Sequence, residues 1–386
     1  MTRPTSSSPS GRPRRRRADT HQLGDRLRKL DVLIVCGSGG VGKTSVAAAI
    51  AVDEAMRGRR VCVLTIDPAR RLAQAMGLDA LDDRERKVTL PSGGTAGGSL
   101  HGLMLDPKTA FDRLVAETCE TQDEVDEILE NRVYQQVSGS SAGMQEYMAL
   151  ERLFELDRGG KYDLIVVDTP PAAHARELLE SPQRMLRFLE GKSLRWFLRP
   201  GAKVGRFGLK AVGGSRGPVV AVLEKITGGQ MLRDTTQFFE AMEGIVGQVT
   251  ERIRVVERMF GSTSTGFLTV TSPERESVEQ AVAFWEALEE RHYAYVGTVV
   301  NRVEPEVPER LATAEELLAV DGIDESLAAR IVAAQQDHAA LAGRDQSRLG
   351  ELAHATGGSL TISVPRLARV VNDLDGLRAL APYLAG

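Results

Sequence analysis

Residues 36–45, CGSGGVGKTS, constrain the fold of this chain more than any other stretch. Gly37, Gly42, Lys43 and Thr44 fit the pattern G-x-x-x-x-G-K-[ST]. The apolar, β-branched run VLIVC at 32–36 comes directly before it. A helical pattern from about Lys43 to Arg57 comes directly after it, closed by Gly58. A strand feeding a glycine-rich loop into a helix N-terminus is a ready anion cradle. Backbone N–H groups turn inward around phosphate oxygens, and the helix dipole adds partial positive charge. In this setting Gly37, Ser38, Gly39, Gly40, Val41 and Gly42 form the cradle. Lys43 reaches the β- and γ-phosphates of a nucleotide, Thr44 ligates Mg²⁺ and Ser45 touches the α-phosphate. A glycine-rich turn with no ligand is the plain alternative.

Further strand-like runs recur along the chain: VCVLTI at 61–66, YDLIVVD at 162–168, GFLTVT at 266–271, YVGTVV at 295–300 and SLTIS at 359–363, with LHGLML at 100–105 a weaker one. Long helical patterns separate them. Continuous apolar strands alternating with helices imply a mostly parallel, twisted sheet flanked by helices, an α/β fold of the P-loop nucleotide triphosphatase kind. The expected domain covers 31–386. Residues 188–260 break the alternation and read as a helical insertion. There Phe238, Phe239, Met242, Ile245, Val246, Val249, Ile253, Val256, Met259 and Phe260 repeat at helical spacing, as plain core or as a client-binding face. Residues 304–345 read as a second helical, charge-rich stretch.

With 386 residues the chain is long enough for one large domain or two modest ones, and its net charge of −4 exerts no global pull on nucleic acid or membrane. Residues 1–30 read as a disordered basic tail, because Arg3, Arg12 and Arg14 to Arg17 sit among Ser and Pro, where nothing can bury a core. No specific nucleic-acid partner and no integral membrane segment are expected. Cys36, Cys62 and Cys119 form no C-x-x-C, which points to a reduced, cytoplasmic protein.

Two acidic residues close strand patterns, at the sheet edge where open α/β folds bind ligands. Asp168 ends YDLIVVD and is the expected second Mg²⁺ ligand. Asp67 follows VCVLTI and is the candidate for orienting a water that attacks the γ-phosphate.

Three segments together resemble one family: GSGGVGKTS, DPARRLAQAMG and DTPPAAHARELL are similar to the nucleotide motifs of the arsenite-pump and tail-anchored-protein-targeting ATPases, within the deviant Walker A group. The likeness runs from about residue 31 to the end, and the helical insertion matches in placement more than in sequence. It implies ATP and Mg²⁺ as cofactors and hydrolysis of ATP. Asp67 then positions the attacking water, Lys43 serves catalysis, and His174 belongs to a switch loop. VVNRV resembles the adenine-contacting segment, implicating Asn301, and SVPRLARVVNDLDGL resembles the segment near the purine, implicating Pro365 and Arg366. The family further implies a nucleotide-gated homodimer acting on a protein client or membrane partner.

The departures are specific. Ser38 stands where the group carries a signature lysine, and Arg70 and Arg71 stand where the family has His and Asn, so one arginine is a candidate for the missing cation. The C-x-x-C that staples the targeting factors through zinc is absent. The leading expectation is a conformational-switch ATPase. The alternatives are a subunit energising anion or metalloid efflux and a metabolic P-loop phosphotransferase or ligase.

Overall fold

The computed structural model describes residues 12–66, 71–91, 97–132, 134–135, 144–170, 172–190, 246–308, 310–368, 371 and 373–384. Eight strands form one sheet: β1 (Val32–Gly37), β2 (Arg60–Thr65), β3 (Arg86–Val88), β4 (Ser99–Met104), β5 (Leu164–Asp168), β6 (Thr265–Thr271), β7 (Tyr295–Val303) and β8 (Thr361–Pro365). Their spatial order is β3-β4-β2-β5-β1-β6-β7-β8, and every pairing is parallel except β3 with β4. The apolar runs became strands because a parallel sheet is covered on both faces, so neither face needs polar residues. β3 was not expected; its sequence RKV is short and charged, and only pairing with β4 makes it a strand.

The helices, in chain order, are α1 (Arg12–Leu27), α2 (Lys43–Met56), α3 (Arg71–Ala75), α4 (Pro107–Thr118), α5 (Gln122–Glu130), α6 (Met144–Arg158), α7 (Ala172–Leu189), α8 (246–260), α9 (Arg275–Glu289), α10 (Ala314–Leu318), α11 (Glu325–Ala355) and α12 (Leu374–Leu384). Side chains alternate along β1. Leu33 and Val35 face the layer of α1, α2, α3 and α12, whereas Val32, Ile34 and Cys36 face the layer of α4 to α9. None of the described helices is long and apolar enough to cross a membrane.

The expected disordered tail through residue 30 is corrected for residues 12–27, which form α1. Leu23 and Leu27 stand one helical turn apart and are fully buried, with Leu30 behind them. Arg59 ties the end of this segment down, donating to the carbonyls of Leu27 at 3.2 Å and Leu30 at 2.6 Å. The arginine run dominates the composition, but two leucines at i, i+4 suffice to dock the helix. Residues 1–11 lie outside the described residues.

Most of the expected insertion, 191–245, also lies outside them, with Trp196, Phe197, Phe238, Phe239, Met242 and Ile245. Its last part is α8. There Val249, Ile253, Val256 and Phe260 are buried in the main core, so that half of the apolar stripe is core. The stretch expected over 304–345 starts later, at α10, and α11 continues ten residues past 345, because Ala342, Asp345 and Leu352 anchor its C-terminal half against the body.

Candidate active site

The phosphate loop leaves β1 at the C-terminal edge of the sheet and enters α2 at Lys43. Two of its glycines are required by geometry. Gly37 has φ +149°, and a Cβ there would stand 1.9 Å from the carbonyl oxygen of Val270 on β6. Gly42 has φ +97°, and a Cβ there would stand 2.4 Å from the side-chain nitrogen of Asn301. Between them Gly39 and Gly40 are exposed, with open space around Gly40. The loop is therefore fixed at both ends and accessible in the middle, as a cradle for an anion must be.

Lys43 is only 8% exposed, and its ammonium donates to the carbonyl of Ser38 at 2.8 Å. Thr44 donates its hydroxyl to Oδ2 of Asp168 at 2.8 Å, joining the first turn of α2 to the end of β5. Asp168 is fully buried, and Thr65 donates to the same oxygen at 3.1 Å. Thr65 and Asp168 are register partners across β2 and β5, so sheet pairing itself brings them together. A hydroxyl and a carboxylate meeting at the loop form an all-oxygen donor set, which suits a hard cation such as Mg²⁺. Ser45 is half-buried in the same helical turn.

Asn301 sits where β7 shifts register against β8, between Val300 and Val303. Arg302 takes φ +61° there, and such an irregularity re-aims a neighbouring side chain. The amide of Asn301 donates to the carbonyl of Val41 at 2.7 Å, and its oxygen accepts from the N–H of Arg302 at 3.0 Å. The structure thus brings Asn301 to the phosphate loop. Pro365 ends β8, the outer strand on this side of the sheet and three places from β1, and Arg366 follows it. Arg366 pairs with Glu304 at 2.7 Å while most of its side chain stays exposed.

The remaining expected residues are less closely defined. Asp67 and Arg70 lie outside the described residues; the chain reaches them from Ile66, whose N–H donates to the carbonyl of Asp168 at 3.1 Å. Arg71 begins α3 and is exposed, and no ion pair among the described residues involves it. His174 falls within α7, its side chain outside the described residues. Cys36 and Cys62 are buried core side chains, and desolvation pushes each thiol up to about 12.

Sequence reasoning did not single out Thr65, Ser277 or Glu304. Thr65 had a signal, a hydroxyl closing an otherwise apolar strand two residues before Asp67. Ser277, in the first turn of α9, accepts a hydrogen bond from the hydroxyl of Ser38 at 3.0 Å, and nothing local in its sequence marks it.

Residues 30–328 match the family model described as anion-transporting ATPase. Among curated proteins, the chain is 27% identical to ATPase GET3 of Kluyveromyces lactis, over 41% of its own length and 47% of that protein. It is 31% identical to the arsenical pump-driving ATPase of Acidiphilium multivorum, over 41% of its length and 26% of that protein. It is 24% identical to an ATPase ASNA1 homolog of Plasmodium chabaudi chabaudi, over 71% of its length and 63% of that protein. These matches span from about a quarter to under two thirds of the relatives' own lengths.

Proposed function

The chain belongs to the anion-transporting ATPase family, and from that membership we propose that it binds MgATP at the loop Gly37–Thr44 and hydrolyses it to drive a conformational switch. One observation carries the reading: the hydroxyl of Thr44 meets the buried carboxylate of Asp168 at 2.8 Å, at the mouth of the loop. Mg²⁺ would supply charge there that offsets that of the phosphates. Thr44 and Asp168 would hold it, Thr65 keeps the carboxylate oriented, and Lys43 would exchange the carbonyl of Ser38 for the terminal phosphates. Asp67 orients the attacking water.

Phosphate release from MgATP tests this directly. The parent protein should turn over ATP without a second substrate, and Asp67→Asn should bind MgATP nearly normally while hydrolysing it far more slowly. Equal turnover by Asp67→Asn sinks the assignment of the water, and a parent without turnover sinks the ATPase reading.

The working unit in this proposal is a homodimer closed by ATP, with a protein client or membrane partner as its target and Asn301, Pro365 and Arg366 near the base. A single phosphate loop per chain supports two-fold assembly. Light scattering of Asp67→Asn with and without MgATP decides it, and a strict monomer in both states removes it. Arg70 or Arg71 supplies the cation that Ser38 lacks; Arg71 stands exposed at the start of α3, free to reach a nucleotide or a second protomer. Unchanged kcat in both Arg70→Ala and Arg71→Ala would discard that role. The similarity to an arsenical pump-driving ATPase favours a second reading, energising efflux of an anion, and stimulation of turnover by arsenite is its test.

A further inference from the structure

The phosphate loop contains one polar side chain between Gly37 and Gly42, that of Ser38, and it turns away from the cradle. Ser38 is 7% exposed, and its hydroxyl donates to the hydroxyl of Ser277, itself 7% exposed, at 3.0 Å. The same residue presents its carbonyl to the ammonium of Lys43 at 2.8 Å. Ser38 therefore joins two things. Its side chain ties the loop to the first turn of α9, and its main chain holds the lysine that binds phosphate. At the loop's other end Asn301 holds the carbonyl of Val41 at 2.7 Å. The stretch that must wrap an anion, Gly39 and Gly40, lies between these two anchors and is exposed, with open space beside Gly40.

We infer that Ser277 is a positioning residue of the phosphate site, acting through Ser38 to hold the loop and Lys43 in the conformation that accepts nucleotide. The inference rests on the reading of this loop as the nucleotide site. Ser277 touches no reacting atom. Preorganisation is its contribution: a loop already shaped for phosphate loses less freedom when the ligand binds. The same burial assigns Ser38 an intramolecular task. A lysine introduced at that position would lose this hydrogen bond to α9.

Fluorescent-ATP titration of Ser277→Ala, Ser38→Ala and the double variant tests the proposal, with melting temperatures measured alongside. Each single variant should weaken MgATP binding about fivefold, the equivalent of one buried hydrogen bond. KM should rise in parallel, with kcat changing by less than about twofold. The double variant should bind no worse than either single one, because both remove the same contact. Ser277→Thr, which keeps the hydroxyl, should recover most of the affinity. Unchanged affinity in Ser277→Ala overturns the proposal. So does a lowered melting temperature with affinity intact, or additive losses in the double variant. A parent that binds no nucleotide overturns the underlying reading as well, whereas a parent that binds and a Ser277→Ala that binds equally overturn the brace alone.

Discussion

The phosphate loop and the α10–α11 hairpin both follow strands that end at the same edge of the sheet, β1 and β7, yet they are built on opposite principles. The loop is pinned from α9, β6 and β7, and Lys43 and the neighbouring carboxylate of Asp168 are buried. The outer part of the hairpin, α10 and α11 up to Leu341, is held mainly by itself. Between Glu325 and Leu341 only Ala328 is buried, while Leu318, Val320, Leu327 and Leu341 are the large hydrophobics exposed among the described residues. Order in the hairpin comes from local devices. Thr313 and Glu316 form a capping box at α10, and Asp324 caps α11 through the N–H of Leu327 at 2.7 Å. Order in the loop comes from long-range contacts, such as Asn301 with Val41, 260 residues apart. Positions that must hold charge in a fixed geometry are over-determined by tertiary contacts, and those secured by caps alone tolerate change.

Four substitutions would break or sharpen this contrast. Asp67→Asn carries the largest expected effect, a fall in kcat of about 10²–10⁴-fold if the carboxylate acts on the water, read by phosphate release. Lys43→Ala comes next. Losing a charged hydrogen-bond donor should weaken MgATP binding about tenfold to a hundredfold in fluorescence titration, with little change in urea stability. Gly37→Ala attacks the anchoring instead. Its methyl group would collide with the carbonyl of Val270, and denaturant unfolding should show a loss of about 1–3 kcal/mol. Leu327→Ser in the hairpin should shift stability by less than about 0.5 kcal/mol, because an exposed side chain has little to lose. A large loss at Leu327 together with a silent Gly37→Ala would reverse the comparison.

Apart from β3, the sheet was legible because its strands carry long apolar runs, a pattern that few other arrangements can bury. The loop was legible because its glycines and lysine are adjacent in the chain. The place of Asp168 was legible because it closes an apolar run that could only be a buried strand. The helix at 12–27 was obscured by arginines that outnumber the two leucines docking it. Ser277 was invisible because a serine in a helical first turn looks like an ordinary surface residue. Its partner Ser38 lies 239 residues away.

By itself, then, the sequence determined the order of most strands and helices, the glycine-rich loop between β1 and α2, and the place of Asp168 at the end of β5. Each of these follows from local periodicity or from residues adjacent in the chain. Tertiary structure decided which way the side chains of the loop face. It turned Ser38 inward to α9, brought Asn301 against Gly42 through a register shift, and set Thr65 beside Asp168 by strand pairing. Those outcomes depend on which strands become neighbours and in what register, and that is settled only when the whole sheet packs between its two helical layers.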